Sequence, residues 1–119
     1  MIMKDKRKCF QWNIYLVELK SGEENIQNGL RPCVCISNNK NNIYSNTVQF
    51  IPLSSQIKNE LPMHYVLYKS VYKFLKTDSV ILPEQLTTEN VDNVVKFLGS
   101  IEEKDIQNIK NCIKIQFDL

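Results

Sequence analysis

The stretches Trp12-Asn13-Ile14-Tyr15-Leu16-Val17-Glu18-Leu19 and Arg31-Pro32-Cys33-Val34-Cys35-Ile36-Ser37 are rich in apolar side chains, many of them branched or aromatic. Such side chains favour β-strands because they pack well on a pleated surface. The polar segment 21–29 lies between them and predicts a loop. Pro32 is compatible with a strand because it occupies one of its first positions. The two stretches therefore predict two strands of a sheet.

Three further strands are predicted downstream, at residues 47–53, 65–68 and 79–82. The asparagine-rich segment 38–42 predicts a turn, because Asn tolerates turn conformations. Pro52 cannot donate a hydrogen bond to a neighbouring strand, so it favours an edge strand or a bulge near the strand's end. The polar residues from 54 to 62 are interpreted as an excursion from the sheet.

Helical spacing of apolar residues begins after residue 90. One set falls at positions i, i+3, i+4 and i+7, namely Val91, Val94, Val95 and Leu98. This set predicts a helix with Thr88 as its N-cap and Gly99 at its end. A second amphipathic helix is predicted over residues 102–115, with acidic residues in its first turn that suit the helix dipole. Short strands followed by a terminal helix predict an α+β fold, a small β-barrel with helices attached.

The chain has 119 residues and a mass of 13.9 kDa, which suits one domain. Its net charge of +2 excludes a strongly basic, histone-like binder but allows a local basic patch. No apolar run approaches the ~18 residues that a membrane span needs, and residues 1–8 do not resemble a secretory signal. We therefore expect a cytoplasmic protein with a basic N-terminal arm at residues 1–11 and one domain at residues 12–119.

The cysteines of the chain are Cys9, Cys33, Cys35 and Cys112. Cys33 and Cys35 lie two residues apart in a predicted strand, so both point to one face. A zinc site would need two further ligands, yet the sequence has a single histidine, His64, and no Cys-x-x-Cys pair. We expect buried, reduced thiols and no metal site.

Several short segments resemble the MazF/PemK toxin family, and they occur in the family's order. They are the run 14–19 with the run 27–38, Phe50-Ile51-Pro52-Leu53-Ser54-Ser55, Leu61-Pro62-Met63-His64, Ser79-Val80-Ile81-Leu82-Pro83-Glu84-Gln85 and Leu98-Gly99-Ser100-Ile101. Each segment is short, but their order and spacing together are specific. The similarity extends from about residue 12 to residue 119.

This resemblance implies an SH3-like β-barrel of the Kid/CcdB/MazF type with a C-terminal helix. It implies a homodimer that cleaves single-stranded mRNA at short sequence motifs and needs no cofactor or metal. It also implies a cognate antitoxin protein, whose disordered tail covers the active groove. In such cleavage the ribose 2′-OH attacks the adjacent phosphate and leaves a 2′,3′-cyclic phosphate, so negative charge collects on phosphoryl oxygens in the transition state.

Arg31 occupies the position of the family's catalytic arginine. A planar guanidinium can stabilise the transition-state charge with paired hydrogen bonds. Ser54 stands where the family carries a catalytic Thr or Ser, and a hydroxyl can add a hydrogen bond or relay a proton. Ser55 is the alternative if the register is shifted by one residue, and otherwise it is expected to support Ser54 by binding RNA.

Glu84 aligns with an acidic residue that some family members use as a general base, although a solvated surface acid is an equal alternative. His64 is interpreted as structural, because the Leu-Pro-x-His segment looks structural in this family. Trp12 is expected to pack in the core or at a dimer contact more than to stack on a base. Three amide side chains are expected to bind RNA by hydrogen bonds: Gln27, Gln56 and Gln85.

Two departures from the family pattern bear on activity. Ile26 replaces the usual acid before the arginine, so a role of that acid in substrate binding or proton transfer is lost or moved. Thr87 stands where an RNA-facing arginine is common, which leaves the cleavage motif unpredictable. The alternative hypothesis is a non-catalytic SH3-like binding module, either a degenerate toxin that only binds its antitoxin or a CcdB-like protein that poisons a protein target.

Overall fold

A computed structural model of the chain describes residues 8–20, 22–56 and 61–119. Residues 1–7 of the predicted basic N-terminal arm lie outside this part. Within it, seven strands and two α-helices follow in chain order: β1 (Asn13–Leu19), β2 (Gly29–Cys35), α1 (Asn39–Tyr44), β3 (Thr47–Ser54), β4 (Tyr65–Leu67), β5 (Ser79–Ile81), β6 (Thr87–Asn90), β7 (Val94–Ser100) and α2 (Glu103–Phe117). Two 3₁₀ turns, Pro83–Gln85 and Val91–Asn93, flank β6.

The strands form one antiparallel sheet in the order β4-β5-β3-β2-β1-β7, and β6 also pairs with β3. One edge of β3 therefore has two successive partners, β6 along residues 47–50 and β5 at residues 53 and 54. No ladder joins β4 to β7 in the described residues, so the sheet is barrel-like without closing. The predicted α+β fold with a C-terminal helix is confirmed.

Two hydrophobic clusters cover opposite faces of β1, β2 and β3. Ile14 and Val34 face each other across β1 and β2, and both belong to the first core cluster, which also holds the buried face of α2. Tyr15 and Cys33, one residue further along, belong to the second core cluster. Because both faces are covered, each of these strands contains a run of consecutive apolar residues, at 14–17, 32–35 and 50–53, which explains why the sequence predicts them well.

A buried carboxylate anchors the first turn of α2. Asp105, only 6% exposed, accepts hydrogen bonds from the hydroxyls of Tyr65 and Tyr72, each at 2.5 Å. The Tyr72 hydroxyl also accepts a 3.0 Å bond from the backbone N–H of Glu102, the N-cap residue. Burial and the bond to Asp105 raise the pKa of Tyr65 to about 12 and also raise the pKa of Tyr72. Both hydroxyls therefore stay protonated donors at neutral pH.

The predicted helix over residues 91–98 is wrong. Val91–Asn93 forms a 3₁₀ turn and Val94–Ser100 forms β7, so Thr88 caps no helix and Gly99 ends none. The register between β7 and β1 shifts twice along the pair. These irregularities break the two-residue alternation of a strand, and the apolar spacing that remains coincides with that of a helix. Pairing with β1 decides the structure of this segment.

Segment 38–42 was predicted as a turn, and the structure corrects this to the start of a short helix. Asn38 is the N-cap of α1, and its side chain accepts a 2.8 Å hydrogen bond from the backbone N–H of Asn41. The same short polar side chain that favours turns also caps helices, so this local signal fits both structures. β6 was not predicted at all, because its four residues are polar and alternate between half-buried and exposed.

Pro52 was expected to mark an edge strand or a bulge near the end of the strand, and the first alternative is wrong, because β3 lies between β2 and the pair β5 and β6. Pro52 faces Cys33 of β2, and its carbonyl oxygen accepts a 3.1 Å bond from the backbone N–H of Leu82 on the other side. That side is where the partner of β3 changes from β6 to β5. The missing N–H of proline thus falls at a break between two ladders, where it is tolerated.

All four cysteines are buried, as predicted. Cys33 and Cys35 both belong to the second core cluster, which confirms that they point to one face of the sheet. Cys9 joins the same cluster, and the backbone N–H of Phe10 donates a 2.8 Å bond to the Tyr15 hydroxyl. The domain boundary at residue 12 stays a prediction. No helix among the described residues is long and apolar enough to cross a membrane.

Candidate active site

Arg31 lies near the start of β2, directly opposite Val17 of β1. Residues opposite each other share a face of the sheet, so the Arg31 side chain lies on the face of the second core cluster, which contains Val17. Its Nε donates a 2.7 Å hydrogen bond to the carbonyl oxygen of Asn28, in the loop before β2. The two terminal nitrogens have no hydrogen-bond partner within the described part of the chain.

Two charged side chains, those of Arg31 and Glu89, act on the Cys33 thiol. Burial raises the pKa of Cys33, the Glu89 carboxylate raises it further, and the Arg31 guanidinium lowers it. Strand pairing places both charged residues on the Cys33 face, since Arg31 lies opposite Val17 and Glu89 lies opposite Val48, both in the second core cluster. In residues 8–20, 22–56 and 61–119, however, no carboxylate forms an ion pair with Arg31. The guanidinium charge can thus act on an incoming anion.

The two predicted serines lie on opposite faces of β3. Cys33 faces Pro52 at the end of the ladder between β2 and β3, and Ser54, two residues after Pro52, falls by strand alternation on the same face of the sheet as Arg31. Ser54 is 8% exposed, and its Oγ accepts a 3.1 Å bond from the backbone N–H of Gln56. Ser55 is exposed and lines a cavity that Arg31 also lines, whereas Ser54 does not line it. Ser54 therefore shares a face of the sheet with Arg31, whereas Ser55 shares a cavity with it.

That first cavity has a volume of about 500 Å³ and combines apolar walls with cationic side chains. Besides Arg31, its described lining includes Lys76 and Lys96 and no acidic residue. The sequence did not predict Lys96 as a site residue, because it was assigned to a helix. In β7 it stands opposite Leu16, and only this long-range pairing brings its charge to the cavity.

The second cavity, of about 290 Å³, lies on the Arg31 face of the sheet. Two of its lining residues, Leu19 and Pro52, share that face with Arg31 by strand alternation, and Glu89 lines it as well. Glu89 was also missed by the sequence analysis, since β6 was not predicted. The predicted RNA-binding residues Gln27 and Gln85 line this cavity too.

Gln27 and Gln85 are joined by hydrogen bonds through the loop before β2. Gln85 Oε1 accepts a 3.1 Å bond from the backbone N–H of Gln27, and Gln85 Nε2 donates a 2.9 Å bond to the carbonyl oxygen of Asn25. The side-chain Oε1 of Gln27 is buried without a hydrogen-bond partner in the described residues. Gln56 is exposed beside the serines. The structure brings two of the three predicted amides together.

Glu84, the predicted general base, lies in the first 3₁₀ turn and pairs with His64. Glu84 Oε2 lies 2.8 Å from His64 Nε2, and the histidine side chain is only 10% exposed. Neither residue lines either cavity. The pair ties the segment before β4 to the 3₁₀ turn, which supports a structural role for His64.

Trp12 packs half-buried against the first core cluster, and the Nζ of Lys110 lies 5.8 Å from the centroid of its ring. This contact is a cation–π interaction with α2, as expected for a core contact rather than a base-stacking platform.

Within the described ranges, no group of three or more His, Cys, Asp or Glu side chains is placed to hold a metal ion.

Comparison with known proteins defines the class of protein. The family described as PemK-like, MazF-like toxin of type II toxin-antitoxin system matches residues 10–117. The chain therefore belongs to this toxin family, as the sequence segments predicted. One curated relative is the endoribonuclease MazF of Staphylococcus saprophyticus subsp. saprophyticus. It is 35% identical over 108 residues, which cover 90% of this chain and 89% of that protein.

Solved structures show the same fold. MazF from Deinococcus radiodurans superposes with a TM-score of 0.80 at 14% identity, covering 95% of this chain and 99% of that one. An endoribonuclease in complex with its cognate antitoxin, from a mycobacterial species, has a TM-score of 0.76 at 17% identity, with 93% and 96% covered. The predicted MazF-type fold is confirmed.

Proposed function

We propose that this protein is an endoribonuclease toxin that cleaves single-stranded mRNA and is inhibited by a cognate antitoxin. One observation carries the proposal: Arg31, at the family's catalytic position, presents a guanidinium whose terminal nitrogens are unbonded and which no described carboxylate neutralises. Membership of the toxin family and the 35% identity to an endoribonuclease MazF support it.

In the proposed reaction the ribose 2′-OH attacks the adjacent phosphorus, the bond from phosphorus to the 5′-oxygen of the next nucleotide breaks, and this oxygen takes a proton from water and leaves as a 5′-hydroxyl. Arg31 donates hydrogen bonds to the phosphoryl oxygens as they gain charge. Ser54, on the same face of the sheet as Arg31, is the proposed hydroxyl that adds a hydrogen bond or relays a proton, with Ser55 binding RNA in the first cavity. Glu84 stays the proposed base that takes the 2′-OH proton, although His64 engages one of its oxygens.

RNA is proposed to cross the sheet at the start of β2, from the Arg31 guanidinium on one face to the first cavity, where Lys76 and Lys96 supply further positive charge. Lysine and arginine side chains contact phosphates and release counterions, which supplies affinity without sequence preference. Gln27 and Gln56 remain the proposed hydrogen-bonding partners of RNA, whereas both amide atoms of the third predicted partner, Gln85, are already bonded to the loop before β2. The presence of these cations supports RNA as the substrate, because a phosphate backbone carries the opposite charge.

Cleavage is expected to persist in EDTA, because Arg31 supplies the positive charge that a divalent ion would otherwise bring. A long RNA incubated with purified protein should give 2′,3′-cyclic phosphate or 3′-phosphate ends, mapped by end-specific ligation. The matched control is the same RNA incubated with the Arg31→Ala variant. Cleavage that requires magnesium and leaves 3′-hydroxyl ends would contradict the mechanism.

We further propose that the protein acts in the cytoplasm as a symmetric homodimer. A chain of 119 residues has a limited core, and small domains of this size commonly pair through a two-fold axis. Native mass spectrometry at micromolar concentration should give twice the chain mass of 13.9 kDa. A monomer under these conditions would be evidence against the dimer and against a groove shared by two subunits.

The alternative of a non-catalytic binding module makes a different prediction in the same RNA assay, since such a module would bind antitoxin and cut nothing. The unneutralised Arg31 favours the enzyme, and so does the endoribonuclease name of the 35% identical relative. The alternative rests on two departures from the family pattern: Ile26 replaces the usual acid, and Thr87 replaces the common arginine.

A further inference from the structure

The loop of residues 22–28 connects β1 to β2 and leads directly to Arg31. Most of its side chains are exposed. The Gln85 side chain makes two hydrogen bonds to the backbone of this loop, at Asn25 and Gln27, and so ties the loop to the rest of the fold. Because one bond is donated and the other accepted, the reverse orientation of the Gln85 amide would place like groups against each other. Glutamine in this orientation suits both partners.

Gln85 is itself held firmly. It ends the first 3₁₀ turn, where its backbone N–H donates a 2.8 Å bond to the carbonyl oxygen of Leu82. Leu82 is bonded in turn to Pro52 of β3 at 3.1 Å. Pro83 starts the turn with its φ preset, and the Glu84–His64 pair fixes the outer side. The amide of Gln85 therefore projects from a rigid position on the sheet.

The same loop holds the side chain of Arg31. The carbonyl oxygen of Asn28, next in the chain to Gln27, accepts the 2.7 Å bond from Arg31 Nε. A continuous set of contacts thus runs from β3 through Gln85 and the loop to the guanidinium. A shift of the loop would move the Asn28 carbonyl and turn the terminal nitrogens of Arg31 away from their present direction.

We infer that Gln85 is a positioning residue that sets the direction of the Arg31 guanidinium by clamping the loop before β2. This inference rests on the proposed function, and it replaces the expectation that Gln85 acts by binding RNA. Both polar atoms of its amide are already engaged by the loop. An RNA contact would have to break one of these bonds or share its atom.

The clamp is tested first in the protein alone, by NMR hydrogen exchange. In the Gln85→Ala variant, the backbone N–H of Gln27 and the Nε–H of Arg31 should exchange about tenfold faster or more, since each loses a restraint. Gln107→Ala, an exposed glutamine on α2, is the matched control and should change neither. Unchanged exchange at both sites in a folded Gln85→Ala variant would overturn the inference, whatever the protein does to RNA.

The second test is a double-mutant cycle in RNA cleavage. Gln85→Ala should lower kcat roughly 10–100-fold with little change in KM, because a small misplacement of a catalytic group has effects of this size. In the Arg31→Ala background the same substitution should cause no further loss. Gln85→Glu keeps the acceptor for Gln27 but repels the Asn25 carbonyl, so it should fall between wild type and alanine.

A rise in KM at constant kcat, or an equal loss with and without Arg31, would overturn the positioning role and assign Gln85 to RNA binding. If the wild-type protein cleaves no RNA, the proposed function fails, and the exchange experiment alone then decides whether Gln85 holds the loop and Arg31. Thermal melting of each variant confirms that it is folded before rates are compared.

Discussion

Replacing Arg31 with alanine is expected to lower the rate of RNA cleavage by about 10²–10³-fold, or about 2.7–4 kcal/mol of transition-state stabilisation. The guanidinium is preorganised by its bond to Asn28 and forms no ion pair with a carboxylate among the described residues, so its loss removes an interaction made mainly in the transition state. Arg31→Lys should restore little, because an ammonium keeps the charge but loses the planar pair of donors. Single-turnover cleavage of an RNA with mapped cut sites, in EDTA, measures the effect.

His64→Ala is the contrasting variant, and it should lower the rate far less while lowering the melting temperature. The substitution removes the 2.8 Å hydrogen bond between His64 and Glu84, and His64 lines neither cavity. Parallel Ser54→Ala and Ser55→Ala variants show which hydroxyl the reaction uses. Normal cleavage by Arg31→Ala together with a folded but inactive His64→Ala would refute the assignment and point to a histidine-based mechanism.

Replacing Asp105 with alanine is expected to lower the free energy of unfolding by about 2–4 kcal/mol. The hydroxyls of Tyr65 and Tyr72 would lose their acceptor, and each buried donor left unsatisfied costs ~1–3 kcal/mol, with the smaller value for the partly exposed Tyr65. The start of α2 would also lose its link through Tyr72 to the N-cap. Urea unfolding at one fixed protein concentration measures the change.

Two variants separate the hydrogen bonds of Asp105 to the tyrosines from general effects of charge. Glu103→Ala removes an exposed acid from the same helical turn and should change stability by no more than ~0.5 kcal/mol. Asp105→Asn keeps one oxygen acceptor and should fall between the two. If Asp105→Ala proves no more destabilising than Glu103→Ala, the tyrosine contacts do not anchor α2.

Local patterns predicted the elements whose sequence signal does not depend on distant partners. β1, β2 and β3 each contain a run of consecutive apolar residues, at 14–17, 32–35 and 50–53, because both sheet faces are covered there, and α2 shows a clean amphipathic repeat. β7 was predicted wrongly as a helix. Its register against β1 shifts twice, so its two-residue alternation is interrupted and the apolar spacing that remains resembles that of a helix. No window of residues around Val94 contains that information.

The sequence by itself determined the family, the position of Arg31, the buried cysteines and the terminal helix, because each depends on short segments or on side chains that act alike in any context. The tertiary structure decided how the site is assembled. Gln85 reaches Gln27 and Asn25 across 58 and 60 positions of sequence, and Lys96 reaches the first cavity only through pairing of β7 with β1. Such contacts depend on strand register, which long-range burial sets and local propensity does not.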